Sequence, residues 1–238
     1  MIRPIGFEEI GERFPLNPDL AARLHEEGFC VTAGPVASAD IAGVAAAYDR
    51  AMDAADLSDR GIGSTSVRVH DFVNRGSAFD RLYVDGTLLS ACYEILRRPF
   101  KLSSMLGRTL LPRTPAQDLH VDYPSDAQGW TMVGFIWTVD EFRSDNGATC
   151  FVPGSHRHAS PGSTDGQLVP ACGPAGSLVI YNGSVRHGHG ANATAAPRRS
   201  VQGAFIRRDA KSATDFASRM TSDTLARIGP LAKYLLAL

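Results

Sequence analysis

Long apolar runs and a charge excess of either sign are both missing from this 238-residue sequence. No segment approaches the run of about 18 apolar residues that a membrane-spanning helix needs, which excludes a membrane span. The 24 basic and 25 acidic residues leave a formal net charge of −1. Domains that bind nucleic acids carry a basic excess, so we expect no nucleic-acid partner.

Cysteine is scarce as well, with 4 residues and no CxxC pair. Scattered thiols indicate reduced cysteines rather than a disulfide framework or a zinc site. The opening segment MIRPIGFEEIGERFP holds acidic residues and prolines where a secretory signal peptide needs an apolar run. These features favour a cytoplasmic protein. The thiols are those of Cys30, Cys92, Cys150 and Cys172.

The length predicts a single domain over residues 1–238, large enough to bury a substantial core. No internal repeat or long linker divides the chain. Residues 1–99 have a mainly helical pattern, and residues 209–238 return to helical periodicity. Residues 100–208 differ, because short apolar runs there alternate with turn residues.

Capping residues place the predicted helices. Asn17 and Pro18 form an N-cap and first-turn pair for a helix that stops near Gly28. A second helix is predicted from Ser38 to about Ala55, with Ser38 as its N-cap. A third runs from Thr87 to Arg98 and is halted by Pro99.

The central segment predicts strands without intervening helices, which is typical of an antiparallel sandwich or barrel. The fold class is therefore α+β, with helices packed around an all-β core. The predicted strands lie within Lys101–Leu111, Trp130–Phe142, Ala148–Val152, Ser177–Tyr181 and Ser200–Arg207.

An HxD tripeptide is the first candidate for chemistry. His120 and Asp122 are two positions apart, so on an extended segment both side chains project to one side. One further imidazole would complete a 2-His-1-carboxylate site, which leaves three coordination positions of an iron(II) ion open. Such tripeptides also arise by chance, and taken alone a surface histidine and a turn aspartate before Pro124 are the favoured interpretation.

A glycine-rich segment supplies the second candidate. His187 and His189 follow an apolar strand, and Arg198 comes eleven residues after His187. Arginine suits bidentate recognition of a carboxylate. Taken alone, Arg198 and Arg199 are more simply a solvated basic pair at the start of a strand.

Together these segments resemble the phytanoyl-CoA dioxygenase family from about Lys101 to Arg208. The matching stretches are HVDYP at 120–124, DNGATCFVPGSHR at 145–157, and HGHGAN at 187–192 followed by Arg198. Members of that family are non-haem iron(II), 2-oxoglutarate-dependent oxygenases. The resemblance implies a double-stranded β-helix core of the jelly-roll or cupin-like type.

The resemblance also implies residue roles. The iron ligands would be His120, Asp122 and His187, with His187 preferred to His189 for its distance from Arg198. Arg198 would bind the far carboxylate of 2-oxoglutarate. The other residues carried over to the cosubstrate pocket are Trp137, Arg68, His189 and Ser200, of which His189 departs from the family's usual small polar residue.

The implied reaction consumes O₂ and 2-oxoglutarate and releases succinate and CO₂ while oxidising a small or medium-sized metabolite. Related halogenases replace the carboxylate ligand with a small residue, so the presence of Asp122 favours hydroxylation over halogenation. Desaturation and other outcomes of the same chemistry stay open. The family name does not by itself imply a coenzyme A thioester, and the oligomeric state is not predicted.

Two other functional classes stay open on the sequence. One is a non-catalytic cupin-like module that binds a metal or ligand, which would not need Arg198. The other is a zinc hydrolase that uses His120, Asp122 and His187, although hydrolysis usually needs a nearby carboxylate base. His156 and His158 are expected to shape the rim of the active site, and Tyr181 is expected to pack in the core.

Overall fold

The computed structural model describes residues 6–158 and 166–238. The helices are α1 (Phe7–Arg13), α2 (Pro18–Glu26), α3 (Ile41–Asp53), α4 (Asp80–Tyr83), α5 (Gly86–Leu96), α6 (Phe216–Arg219), α7 (Ser222–Arg227) and α8 (Pro230–Leu235). The strands are β1 (Phe29–Ala33), β2 (Arg60–Ile62), β3 (Ser66–Val69), β4 (Phe100–Leu110), β5 (Met132–Thr138), β6 (Thr149–Phe151), β7 (Val169–Pro170), β8 (Ser177–Asn182), β9 (His187–His189) and β10 (Arg198–Arg207).

The strands form two antiparallel sheets. The larger has seven strands in the order β1-β8-β5-β10-β4-β3-β2, and the smaller has three in the order β7-β6-β9. The long strands β4 and β10 pair along the middle of the larger sheet, with one irregularity in register between Ala204 and Phe205. This arrangement is the predicted α+β class with a jelly-roll core.

Two hydrophobic clusters lie on opposite faces of the larger sheet, because successive side chains of a strand point to opposite sides. On β5, Val133, Phe135 and Trp137 join the cluster that packs against the helices. Met132 and Ile136 point the other way, into the cluster shared with the smaller sheet. The space between the two sheets is therefore bounded by the second set of side chains.

Two of the predicted helix starts depend on side-chain caps. The Asn17 side chain accepts a hydrogen bond from the Asp19 amide at 2.8 Å, and Pro18 opens α2. Helix α5 begins one residue earlier than predicted, because the Asp85 carboxylate caps it by accepting from the Leu88 amide at 2.9 Å. It ends at a left-handed Arg97, before Pro99.

The mainly helical first 99 residues also contribute β1, β2 and β3, which extend both edges of the larger sheet. The C-terminal segment forms three short helices rather than one long one. Within residues 6–158 and 166–238, no helix combines the length and apolar character needed to cross a bilayer.

Candidate metal centre and cavity

Two histidines and one aspartate from distant parts of the chain converge on a common point. The HxD segment is joined to β9 by an isolated bridge, in which His120 and His187 exchange two backbone hydrogen bonds of 2.9 Å. Asp122 lies two residues beyond His120 and projects to the same side. One potential ligand atom from each of His120, Asp122 and His187 lies within 4.8 Å of the others.

The ring orientations suit metal binding. The Nδ1 atom of His120 lies 3.2 Å from the Asp118 carbonyl oxygen, and that of His187 lies 3.0 Å from the Val185 carbonyl oxygen. If each Nδ1–H donates to its carbonyl, each Nε2 keeps a free lone pair. Both Nε2 atoms lie 3.5 Å from an oxygen of Asp122. Ligands about 2.1 Å from a divalent ion and at right angles to one another are about 3 Å apart, close to this spacing.

The Asp122 carboxylate is held ionised. Burial opposes its charge, but the hydrogen bond with His120, the field of His187 and a 2.7 Å hydrogen bond from Tyr181 Oη keep its pKa below the usual value. Burial lowers the pKa of His187, which favours the neutral ring that a metal needs. The hydrogen bond with Asp122 raises the pKa of His120, so a bound cation and a proton would compete there.

Tyr181 was expected in the core, but its ring also lines the cavity at the centre and its hydroxyl donates to Asp122. Gly134, its register partner on β5, makes room for the ring, because a Cβ there would lie 2.1 Å from Tyr181 Cζ. Burial and the neighbouring Asp122 raise the pKa of the phenol far above its usual value, so it stays protonated and donates.

A cavity of about 580 Å³ opens beside the triad. Its wall includes the three triad residues, Tyr181 and His189. Apolar side chains also contribute, from Leu106, Met132, Ile136 and Ile206. Such a cavity is of the size that small-molecule sites usually have.

Arg198 is buried without a counter-ion. Only 1% of its surface is exposed, and none of its three guanidinium nitrogens has a hydrogen-bond partner among the described residues. The guanidinium lies 4.0 Å from the centroid of the Phe142 ring, and burial together with Arg108 lowers its pKa to about 9. Arg198 shares a face of β10 with Gln202 and Ala204, which line the cavity. A buried, unpaired cation on this face suits an anionic ligand.

The residues predicted for the cosubstrate pocket occupy different places. His189 lines the cavity, and its Nδ1 lies 2.9 Å from the Gly190 carbonyl oxygen. Ser200 is buried, and its hydroxyl donates to the Arg108 carbonyl oxygen at 3.3 Å. Arg68 lines the cavity with an exposed side chain.

Trp137 departs from the prediction. Its side chain is fully buried in the cluster that packs against the helices, on the opposite face of β5 from the cavity-lining Ile136. Strand alternation causes this, and the continuous apolar run of β5 hides the alternation in the sequence. Trp137 therefore does not line the cavity that holds the triad.

The expected rim histidines also lie elsewhere. His156 and His158 line a second cavity of about 770 Å³ together with Trp130. His156 is 4% exposed, and its Nε2 lies 3.1 Å from the His25 carbonyl oxygen. Neither histidine lines the cavity beside the triad.

Arg108 is the site residue that the sequence analysis missed. It lies in the middle of β4, is 9% exposed and lines the cavity. A charged residue inside an otherwise buried strand was the available signal, since buried charges are rare unless they are paired or functional.

Comparisons with known proteins agree with this geometry. Among the proteins similar to this chain, dioxygenase FrzG of Cladobotryum sp. is 28% identical over 187 residues (68% of this chain and 60% of that protein). The multifunctional dioxygenase PrhA of Penicillium brasilianum is 27% identical over 228 residues (83% and 76%). The match to FrzG thus spans less than two thirds of that protein's length.

Solved structures share the fold. The epimerase SnoN, crystallised in complex with Fe3+, alpha ketoglutarate and nogalamycin RO, superposes with a TM-score of 0.68 at 20% identity. The superposition covers 79% of this chain and 82% of SnoN. The family model of phytanoyl-CoA dioxygenase matches residues 24–200, more than half of the chain. The chain therefore belongs to the phytanoyl-CoA dioxygenase family.

Proposed function

We propose that this protein is an Fe(II)- and 2-oxoglutarate-dependent oxygenase that hydroxylates a small or medium-sized metabolite and releases succinate and CO₂. One observation carries the proposal. A 2-His-1-carboxylate cluster lies beside a cavity, and strand β10, which lines part of that cavity, buries Arg198, whose guanidinium has no hydrogen-bond partner among the described residues. An oxygenase of this class needs both parts.

The donor set fits iron(II). His120, Asp122 and His187 would hold the ion on one face and leave three positions open. When bound, the iron and 2-oxoglutarate supply the activation of O₂, and the protein supplies position and electrostatics. The backbone carbonyls of Asp118 and Val185 orient the two imidazoles, and Tyr181 orients the carboxylate.

Arg198 is assigned to the far carboxylate of 2-oxoglutarate. A guanidinium can form two parallel hydrogen bonds to a carboxylate, which fixes the orientation of the bound acid as well as its affinity. His189, with its Nδ1 turned to the Gly190 carbonyl, can direct its Nε2 towards the cavity. Ser200, on the same strand face as Arg198, is a further polar group assigned to the cosubstrate.

The presence of Asp122 favours hydroxylation over halogenation, because halogenation needs that ligand position for a halide. One similar protein is a multifunctional dioxygenase, and the similar structure of the epimerase SnoN holds nogalamycin RO. This likeness supports a small-molecule substrate.

A zinc hydrolase is a weaker candidate. Hydrolysis needs a carboxylate base beside the metal, and Asp122, itself a ligand, is the one acidic residue lining this cavity within the described part of the chain. A non-catalytic binding module, for its part, would not require a buried Arg198 with unsatisfied donors.

The test is release of succinate. Purified protein with Fe(II), ascorbate and 2-oxoglutarate under air is expected to release succinate slowly even without substrate. Asp122→Ala is expected to abolish it by removing the anionic ligand, whereas Asp118→Ala, an exposed carboxylate nearby, should retain it. The absence of iron-dependent succinate from the unaltered protein would contradict the proposal.

A further inference from the structure

The charges on the cavity wall are unbalanced. Among the described residues that line it, Arg68, Arg108 and Lys211 are cationic and Asp122 alone is acidic. Arg68 and Lys211 have exposed side chains, whereas Arg108 is 9% exposed. The cations therefore extend from the cavity mouth inward.

Arg68 and Arg108 are direct partners across the β3–β4 ladder. Side chains opposite one another in an antiparallel pair are about 5 Å apart, and like charges in such a pair destabilise the sheet. Neither guanidinium forms an ion pair within 4.0 Å in the described part of the chain, and Arg108 Nε has no hydrogen-bond partner there. Asp122 acts on Arg108 only at longer range, and the neighbouring charge of Arg68 opposes it. The fold therefore keeps two adjacent cations uncompensated.

Elsewhere on β10, Arg199 and Arg207 are paired with acidic side chains, whereas Arg198 has no hydrogen-bond partner among the described residues. Arg199 contacts Asp140 at 2.7 Å, and Arg207 contacts Asp126 at 2.6 Å. The missing partners of Arg68 and Arg108 are thus a local feature of the cavity.

The proposed cofactors do not supply the missing charge. The two charges of Fe(II) and that of Arg198 balance the Asp122 carboxylate and the two carboxylates of 2-oxoglutarate. Arg68, Arg108 and Lys211 are left without a counter-charge when these groups are bound. A further anion bound in the cavity would neutralise them.

We infer that the substrate carries an anionic group, a carboxylate or a phosphate, that is bound between Arg68 and Arg108. This inference rests on the proposed function for the identity of the other ligands. Two adjacent guanidiniums match the oxygen atoms of either group. The rest of the wall is mixed: Met132, Ile136 and Ile206 offer apolar contacts, and Ser103, Ser104 and Gln202 offer polar ones. Arg68 then selects the substrate instead of contacting 2-oxoglutarate.

The inference can be tested with simple anions on protein loaded with Zn(II), a redox-inert stand-in, and saturated with 2-oxoglutarate. Calorimetric titration with inorganic phosphate and with butyrate separates the two sources of negative charge. We expect one equivalent of at least one of these anions to bind. Arg68→Gln should weaken that binding at least tenfold, and Arg81→Gln, an exposed arginine outside the cavity, should leave it unchanged.

A second readout does not depend on a bound anion. Removal of one member of a like-charge pair should raise the thermal midpoint of the unliganded Arg68→Gln protein above that of Arg81→Gln. The affinity for 2-oxoglutarate should stay within twofold of the unaltered protein in Arg68→Gln.

Three results would overturn the inference: no binding of either anion, equal binding by Arg68→Gln and Arg81→Gln, or a loss of 2-oxoglutarate affinity in Arg68→Gln as large as its loss of anion affinity. A different result would contradict the proposed function, namely that 2-oxoglutarate does not bind the metal-loaded, unaltered protein. In that case the comparison of Arg68→Gln with Arg81→Gln still decides whether the anion site exists.

Discussion

Arg198 has two opposite effects on this protein. Its buried, unpaired charge costs stability in the unliganded state, while the same charge is available to bind a carboxylate. Arg198→Met keeps the bulk of the side chain and removes the charge. We expect the free energy of unfolding of the unliganded protein to rise by about 1 kcal/mol or more, and urea denaturation measures it.

The same variant should bind 2-oxoglutarate poorly. Loss of a hydrogen-bonded charge pair costs about 2–5 kcal/mol, which is roughly 30-fold or more in affinity. Calorimetry on metal-loaded protein measures this, with Arg81→Met as the control. An affinity equal to that of the control would show that Arg198 does not bind the cosubstrate.

Tyr181 is expected to position a ligand rather than to react. Tyr181→Phe removes the 2.7 Å hydrogen bond to Asp122 and keeps the ring. Loss of a group that orients a metal ligand typically costs about 10–100-fold in metal affinity. Competition with a metal chelator measures this affinity, and Tyr93→Phe, which removes an exposed hydroxyl outside the cavity, should leave it unchanged. Equal affinities in the two variants would show that the hydroxyl has no positioning role.

The roles of residues were predictable where they depend on the spacing of motif residues along the sequence. The spacing of the two histidine segments led to the triad that the structure brings together. The eleven residues to Arg198 led to an arginine that the structure buries on the face of β10 shared with the cavity-lining Gln202 and Ala204. The charge of Arg108 within β4 was a signal that the residue has a function, but its role and that of Tyr181 depend on what lies across the sheet from them. Trp137 was assigned to the pocket because a fully apolar strand does not reveal which face is which.

At the scale of elements, the loop after β6 is joined to α2. The Gly154 amide donates to the Glu27 carbonyl at 2.9 Å, and His156 Nε2 lies 3.1 Å from the His25 carbonyl. Burial lowers the pKa of His156 to about 4, against 6.5 for the free group. The unfolded chain therefore binds a proton below pH 6.5 that the folded protein does not bind until about pH 4.

Stability should thus fall as the pH is lowered through this window. Between pH 7 and pH 5 the contribution of His156 amounts to about 2 kcal/mol. Urea unfolding at the two pH values is expected to show this extra loss in the unaltered protein and in His158→Gln, an exposed neighbour. Between these pH values His156→Gln should lose about 2 kcal/mol less stability than His158→Gln. An equal pH dependence in the two variants would contradict the assignment.

Elements with strong local signals were predictable. Asn17 and Pro18 mark the start of α2, and the β-rich texture from residue 100 corresponds to β4, β5, β8 and β10. The strands β7 and β9 have two and three residues, too short for any periodic pattern. Each of them is held by pairing with β6.

For the whole molecule, ligand binding and unfolding are linked. A ligand that binds only the folded state stabilises it by about 2.7 kcal/mol at a hundred times its dissociation constant. We expect 2-oxoglutarate to raise the thermal midpoint of metal-loaded protein in a concentration-dependent way. Asp122→Ala should lose most of that shift and Asp118→Ala should keep it. An equal shift in Asp122→Ala would show that the acid binds independently of the triad.

The sequence by itself determined the fold class, the family and the set of residues able to bind a metal, because these depend on local patterns and on spacing along the chain. The tertiary structure decided which of those residues share a cavity, which face of β5 is turned to it, and that Arg68 lies opposite Arg108. Cross-strand register and burial arise only when distant segments pack together, so no local pattern in the chain encodes them.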